Sequence, residues 1–325
     1  MSLTKLDIDR FISTLRTKSK EFNSINNVQL ASMLEETISN INEVAYFWAT
    51  ISSDNKGTTK TPAEGEEWVA GPYAAVLATQ YYRDTLIDDS DLNESKYNEQ
   101  ENSYNVFPNN MIERISFPFV NAKVYFNKSM SFEDINLYRG FSKRYDIDPS
   151  ITLVLGAGNY SSIPYLDVMY HLVTRRSVIL LKLNPVNEYL KPVFEKVFQN
   201  FIERGYIIVT TGNVDESKYM TKHPGINHIH LTGSDKTYED IVYGRELSEN
   251  DRKVKQLRKI NNKPITSELG NVTPIIIHPG KWSTSDIKYQ ARKIVTGKLN
   301  NNGFNCISAQ VVVLPDGWGH TDTLI

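Results

Sequence analysis

A single cysteine and a glutamate upstream of it are the two side chains in this sequence best suited to covalent chemistry. Cys306 is the only cysteine among 325 residues, so it has no partner for an internal disulfide. Its remaining uses are packing, metal binding and nucleophilic attack. Glu268 lies in a turn-like segment and is either solvated or, beside an apolar pocket, a base that works near neutral pH.

A short glycine-containing segment follows the strand-like run 151–155 and is a candidate phosphate-binding loop. Gly156-Ala157-Gly158 resembles the start of G-x-G-x-x-G, but Ser161 stands where the third glycine would be. The segment is therefore either a weak dinucleotide fingerprint or a tight strand-to-helix turn. Asn159 then either directs an amide N–H at a reacting oxygen or caps the following helix.

Two other strand ends carry residues that suit a nucleotide. Lys182 lies near the end of the apolar run 178–183, where its charge either meets a ribose or phosphate or simply ends the strand. Thr232-Gly233-Ser234 follows a strand and opens a helix, and the free N–H groups at a helix N-terminus favour phosphate. An N-cap role for Ser234 is compatible with phosphate binding.

The sequence gives no reason to expect nucleic acid, a membrane or a metal ion as a partner. The formal charge of −2 gives no electrostatic reason to expect nucleic acid or an anionic membrane surface. His228 and His230 share one strand face, but no cysteine or carboxylate spacing accompanies them, so no metal site is predicted. No apolar run approaches the ~20 residues that span a bilayer. With no signal-peptide pattern and one cysteine, a cytoplasmic location is expected.

The sequence pattern of the segment that would position these residues changes near residue 151. From there, strand-like runs alternate with helix-like runs, which predicts an α/β fold with a Rossmann-like parallel sheet flanked by helices. The strand-like runs are 151–155, 178–183, 206–209 and 226–231, and 186–204 is predicted to be one long helix. Such sheets bind ligands at the carboxyl ends of their strands.

The segment before this sheet is predicted to be mostly helical, with one face repeating apolar residues every three or four positions. This face comprises Leu30, Leu34, Ile38, Ile41, Ala45 and Trp48. Residues 52–66 are predicted to form a loop, and 112–126 one or two strands. Three parts result: an N-terminal segment with a short strand pair (1–148), a dinucleotide-binding domain (149–265), and the start of a second α/β domain that carries the thiol (266–325).

Taken in order, five segments resemble the aldehyde dehydrogenase superfamily over roughly 150–315. They are Leu155-Gly156-Ala157-Gly158-Asn159, Leu181-Lys182-Leu183-Asn184-Pro185, Leu231-Thr232-Gly233-Ser234, Glu268-Leu269-Gly270-Asn271 and Gly303-Phe304-Asn305-Cys306. The resemblance implies NAD or NADP as cofactor and a homo-oligomer at full length. It also implies that the catalytic domain continues far beyond Cys306, so the second domain is expected to be truncated here.

The resemblance also implies a role for each candidate residue. Cys306 would be the nucleophile, Glu268 the base that activates the hydrolytic water, and Asn159 the oxyanion donor together with the backbone N–H of Cys306. The cofactor would be held by Gly158 in the glycine loop, Lys182 at the adenosine ribose, Gly233 and Ser234 at the pyrophosphate, and Leu269 near the nicotinamide.

Two departures from the family pattern bear on function. Pro185 stands where the family often has a ribose-binding glutamate, which leaves the choice between NAD and NADP open. Phe304 stands where a glutamine is common, which changes the shape of the acyl pocket. Glu268, by contrast, is generally absent from CoA-dependent relatives, and its presence favours hydrolysis over transfer to CoA.

The leading hypothesis is NAD(P)-dependent oxidation of an aldehyde to a carboxylic acid through a cysteine thiohemiacetal and thioester. One alternative is a reductase of acyl-CoA or another acyl thioester that uses the same cysteine, since Pro185 loosely resembles CoA-linked relatives. Another is a non-catalytic fragment that binds a dinucleotide or a partner. The expected small-molecule partner is therefore an aldehyde or an acyl thioester.

Overall fold

The structure, a computed structural model, describes residues 3–88, 92–138, 148–254 and 256–325. Its strands are β1 (Tyr97–Asn98), β2 (Ser103–Phe107), β3 (Ala122–Tyr125), β4 (Ile151–Leu155), β5 (Val178–Lys182), β6 (Ile207–Thr210), β7 (His228–Gly233), β8 (Ile265–Leu269), β9 (Pro274–Ile276) and β10 (Val311–Val313).

Its helices are α1 (Lys5–Asn23), α2 (Asn27–Lys56), α3 (Glu64–Trp68), α4 (Ala74–Ile87), α5 (Met111–Ser116), α6 (Phe132–Tyr138), α7 (Ile163–Thr174), α8 (Lys191–Val197), α9 (Gln199–Glu203), α10 (Val214–Lys222), α11 (Asp235–Tyr243), α12 (Glu249–Arg252), α13 (Thr284–Leu299) and α14 (Thr321–Leu324). A π-helical turn (Val69–Tyr73) joins α3 to α4. Short 3-10 helices are Glu94–Lys96, Pro185–Leu190 and Asn300–Gly303.

The centre of the fold is a five-stranded parallel sheet in the order β6-β5-β4-β7-β8. Every residue of β4 and β5 is buried, as expected for parallel strands covered on both faces. Leu155 pairs with Lys182 on one side and with Leu231 on the other, so the carboxyl ends of these strands meet at one edge. The predicted α/β fold with a Rossmann-like sheet is confirmed.

The N-terminal helices pack directly against this sheet and share its core. Ile8 of α1, Trp48 of α2 and Leu153 of β4 belong to one buried apolar cluster. The indole of Trp48 packs edge-on against Phe194, with ring centroids 5.5 Å apart. Most of the predicted apolar face of α2 is buried in this cluster. The three-part division at residues 148 and 265 stays a prediction, and 139–147 lie outside the described residues.

A smaller element group follows the sheet. β9 and β10 form a separate two-stranded parallel sheet, and α13 packs beside it. A second apolar cluster, built on Ile277, Ile287 and Leu324, holds these elements together. α13 leads into the segment that carries the cysteine, so this group positions the thiol. Among the described helices, none has the length and hydropathy needed to cross a membrane.

Three predictions about individual elements were confirmed only in part. Within 112–126 only Ala122–Tyr125 is a strand, pairing with β2; Met111–Ser116 is a helix because the Asn110 side chain accepts a hydrogen bond from the Glu113 N–H. Residues 186–204 are divided among a 3-10 helix, α8 and α9, and Pro185 and Pro192 lie in the first turns of the first two. The predicted loop at 52–66 begins late, because α2 continues to Lys56.

Candidate active site and dinucleotide cleft

The carboxyl ends of β4, β5 and β7 open into a cleft of about 580 Å³ whose outer walls are α10 and α11. Three of the predicted cofactor-binding residues line it: Lys182, Gly233 and Ser234. Its position at the strand ends of a parallel sheet is the usual ligand position in this architecture. The cleft is the candidate dinucleotide site.

Lys182 is the last residue of β5 and is only 6% exposed. Burial lowers the pKa of its ammonium group, and the nearby carboxylates of Glu188 and Glu216 act in the opposite direction. Among the described residues no carboxylate lies within ion-pair distance of it, so its hydrogen-bond donors are available to a ligand. A buried cation of this kind favours a ligand with hydroxyl or anionic oxygens.

Gly233 and Ser234 connect β7 to α11 at the floor of the cleft. Ser234 is the N-cap of α11, and its hydroxyl accepts from the Thr237 N–H at 3.2 Å. The predicted N-cap role is therefore present. The cap leaves other N–H groups of the first turn available, as a phosphate requires.

The two helices that wall the cleft contribute side chains that were not identified from the sequence. α10 supplies Ser217, Lys218, Thr221 and Lys222, and α11 supplies Thr237, Asp240 and Ile241. The α10 residues recur at helical spacing on one face, which is the signal that would have identified them once the helix was placed beside the sheet. An ion pair of 3.0 Å between Lys218 and Asp240 joins the two walls.

Gly158 does not line the cleft but packs against Asn184, which does. A Cβ atom at this position would come within 2.9 Å of the Asn184 side chain, and Asn184 itself lines the cleft. Glycine is therefore required for the close approach of these two loops. Leu269, at the end of β8, also lies outside the lining and packs half-buried against the main core.

Cys306 lies in the segment 300–308 between α13 and β10, which we call the cysteine loop. Its side chain is exposed. Asn159, four residues after β4, donates from its side-chain Nδ2 to the Phe304 carbonyl at 2.9 Å. Ser162 rather than Asn159 is the N-cap of α7, so the capping alternative for Asn159 is wrong. The fold brings this amide to the loop of the only cysteine.

Polar side chains fix the ends of the cysteine loop. The Tyr160 hydroxyl donates to Asn300 Oδ1 at 2.7 Å, and Asn305 Nδ2 donates to the same oxygen at 2.6 Å. Burial raises the pKa of Tyr160, which keeps its hydroxyl protonated as a donor. Asn305 Oδ1 accepts from the Ile307 N–H at 2.9 Å. In the described chain no acceptor pairs with the backbone N–H of Cys306, so this donor is available.

Glu268 lies on β8, opposite Thr232 of β7 and one residue before the strand ends. Its side chain is exposed. Within the ranges that the structure describes, no hydrogen bond or ion pair joins it to Cys306 or Asn159. Thus a hydrogen bond joins Asn159 to the cysteine loop, whereas Glu268 lies near the carboxyl end of β8 without a hydrogen bond or ion pair to either residue among the described ones. The catalytic roles of all three residues stay predictions.

No group of three or more histidine, cysteine, aspartate or glutamate side chains in the described ranges has the geometry of a metal site. His230 is instead bound to protein groups. Its Nε2 lies 3.2 Å from Asp167 Oδ1, and its Nδ1 lies 2.8 Å from Thr266 Oγ1.

Comparison with known proteins links this geometry to one family. The sequence model described as the aldehyde dehydrogenase family matches residues 169–320. A search of curated proteins with this sequence found no match.

Solved structures share the fold at low sequence identity. NADP-dependent glyceraldehyde-3-phosphate dehydrogenase from Bacillus halodurans, complexed with NADP, has a TM-score of 0.64 and 14% identity over 99% of this chain and 56% of its own. Glyceraldehyde-3-phosphate dehydrogenase from Methanocaldococcus jannaschii, complexed with NADP, has a TM-score of 0.63 and 14% identity. This match covers 100% of this chain and 58% of that one. Betaine aldehyde dehydrogenase from Staphylococcus aureus, in complex with NAD+, has a TM-score of 0.62 and 14% identity. This match covers 99% of this chain and 52% of that one.

The chain therefore spans a little over half the length of these structures. At such identities the likeness establishes the fold, and the sequence match to the family covers residues 169–320, a little under half of the chain. The motif order found in the sequence agrees with both. Residues 169–320 of the chain therefore match the aldehyde dehydrogenase family, and the chain shares its fold with solved aldehyde dehydrogenase structures.

Proposed function

We propose that this chain carries the dinucleotide cleft and the reactive thiol of an enzyme that oxidises an aldehyde to a carboxylic acid with NAD or NADP. The observation that carries the proposal is the contact between Asn159 and the cysteine loop, beside a cleft that suits a dinucleotide. This contact joins a side-chain amide that follows β4 to the loop that carries the only thiol of the sequence. The family match to residues 169–320 supports the same chemistry.

The first step of the proposed reaction takes place at Cys306. Cys306 Sγ attacks the aldehyde carbon and forms a thiohemiacetal, and its proton leaves to solvent or to a base. Negative charge then develops on the former carbonyl oxygen. The backbone N–H of Cys306 and the second N–H of the Asn159 amide are the donors for it, because the first amide N–H is already bound to Phe304. A donor of this kind contributes about 3–4 kcal/mol to the barrier reduction.

Loss of hydride from the thiohemiacetal leaves an acyl thioester on Cys306. The bound dinucleotide would accept this hydride. Glu268 then takes a proton from a water molecule, which attacks the thioester, expels the thiolate and releases the carboxylic acid. The Glu268 side chain is exposed near the carboxyl end of β8, so its carboxylate is open to water.

The cleft residues fit the parts of a dinucleotide. Lys182 offers a buried donor to ribose hydroxyl groups, and the first turn of α11, capped by Ser234, offers N–H groups to the pyrophosphate. Because Pro185 replaces a carboxylate near Lys182, no negative charge at that position opposes a 2′-phosphate. Both NAD and NADP therefore remain within the proposal.

Replacing Lys182 with alanine should weaken cofactor binding about 10-fold, because a hydrogen bond from a charged donor is lost. The affinity can be measured by titrating NAD+ and NADP+ separately and following protein fluorescence. Lys191→Ala is the matched control, since Lys191 is half-buried, pairs with Glu195 and lies outside the cleft. Equal affinities in the Lys182 variant and the unaltered protein would remove Lys182 from the cofactor site.

The direct test of the proposed function is aldehyde-dependent formation of NAD(P)H by this chain across a panel of aliphatic and aromatic aldehydes. The proposal predicts turnover that does not require CoA and yields the free acid. Turnover that depends on CoA would instead support the acyl-thioester reductase. Cofactor binding without turnover, together with slow labelling of Cys306 by iodoacetamide, would support a non-catalytic fragment.

A further inference from the structure

A buried ion pair from the N-terminal helices reaches the cysteine loop. Lys56 is the last residue of α2, and Glu67 lies on α3; Lys56 Nζ and Glu67 Oε1 are 2.7 Å apart. Their side chains are 15% and 3% exposed. The same Nζ donates to Asn301 Oδ1 at 2.7 Å. A charge on the N-terminal helices is therefore bound directly to the loop that carries the thiol.

Asn301 is the residue through which the loop is held. It is 2% exposed, and its polar groups each find a partner. Its backbone N–H donates to Glu66 Oε2 at 2.7 Å, and its Nδ2 donates to the Asn159 carbonyl at 3.0 Å. Its own carbonyl accepts from the Phe304 N–H at 2.9 Å. One side chain thus connects the N-terminal helices, the loop after β4 and the cysteine loop.

The loop backbone needs such support. Asn301 and Asn302 both have φ of 52°, and Gly303 has φ of 81°, so three successive residues lie in the left-handed region. This conformation costs free energy for residues with a side chain, and asparagine tolerates it better than most. Consecutive residues of this kind persist only where surrounding contacts determine them. Here the contacts of Asn301 hold the backbone in this conformation.

We propose that Lys56 and Glu67 are positioning residues that hold the cysteine loop through Asn301 and so set the place of Cys306 relative to Asn159. Lys56 acts on the loop by a second route as well, because its ammonium group lies 5.4 Å from the centre of the Tyr160 ring. Tyr160 in turn donates to Asn300. The inference rests on the proposed function only in taking Cys306 as the reacting thiol.

The decisive variant replaces both charges, Lys56→Met with Glu67→Met. Exchanging a buried ion pair for apolar side chains of similar size is often neutral for stability, so the fold should survive. The donor to Asn301 is nonetheless lost. We expect faster hydrogen–deuterium exchange of the loop amides at Asn301 and Phe304. We also expect kcat to fall by up to about 100-fold, since a displacement near 1 Å has this effect, with the KM for the cofactor unchanged.

A matched control removes an ion pair of the same helix that does not touch the loop. Glu43 of α2 forms such a pair with Lys196 of α8, at 2.8 Å on the surface. Lys196→Met with Glu43→Met should leave both the loop exchange and kcat unchanged. Thermal unfolding of both double variants shows whether the fold is intact.

The outcomes separate the inference from the proposed function. Unchanged loop exchange in a folded Lys56 and Glu67 double variant would overturn the inference, and so would faster exchange with an unchanged kcat. If the unaltered chain oxidises no aldehyde, the exchange experiment still tests whether the pair holds the loop. Faster exchange would then support the holding contact while the proposed function fails on its own.

Discussion

Replacing Cys306 with alanine should abolish aldehyde-dependent formation of NAD(P)H, lowering kcat by at least about 1,000-fold. Cys306 supplies the only thiol in the sequence, and alanine has no nucleophile. The residue is exposed on a loop, so the free energy of unfolding should change by less than about 0.5 kcal/mol. Steady-state absorbance of NAD(P)H measures the effect.

Cofactor titration provides the control for this variant. The cleft is built from β4, β5, β7, α10 and α11, and Cys306 does not line it. The dissociation constants for NAD+ and NADP+ should therefore equal those of the unaltered protein. Aldehyde-dependent turnover at the unaltered rate in Cys306→Ala would contradict the covalent mechanism.

Replacing Glu268 with glutamine should lower the steady-state rate of acid formation by about 100-fold or more, because general-base assistance to water is lost. Hydride transfer precedes this step and does not need the base. A rapid-mixing experiment should therefore show one equivalent of NAD(P)H formed in a burst, followed by slow turnover. Since Glu268 is exposed and makes no ion pair with a described residue, the fold should be unaffected.

Glu249→Gln is a suitable control, because Glu249 is an exposed residue of the short helix α12 away from the cleft. It should show neither the burst nor the slow phase. A steady-state rate unchanged by Glu268→Gln, combined with dependence on CoA, would assign the release of the acyl group to thiol transfer and not to hydrolysis.

The residues at the strand ends could be predicted because their signals are local. The runs at 151–155 and 178–183 are apolar without alternation, which is typical of parallel strands buried on both faces. Once such strands are placed side by side, Lys182 and Gly233 must lie at one edge. The structure has them there, lining one cleft.

The support of the cysteine loop could not be predicted because it depends on contacts between distant segments. Lys56 fell in a stretch rich in small polar residues that predicts a loop, yet α2 extends to it and buries its side chain. Nothing near Asn301 in the sequence indicates that its side chain would be enclosed. Only the packing of α2 and α3 beside the loop gives these residues a role.

The most direct test of the covalent mechanism is the mass of the peptide that contains Cys306 after the Glu268→Gln protein is mixed with aldehyde and oxidised cofactor and then quenched with acid. The mechanism predicts an added mass on Cys306 equal to the aldehyde less two hydrogens, as for an acyl thioester. No added mass on this peptide during the burst of NAD(P)H, or an acyl group on another residue, would contradict it.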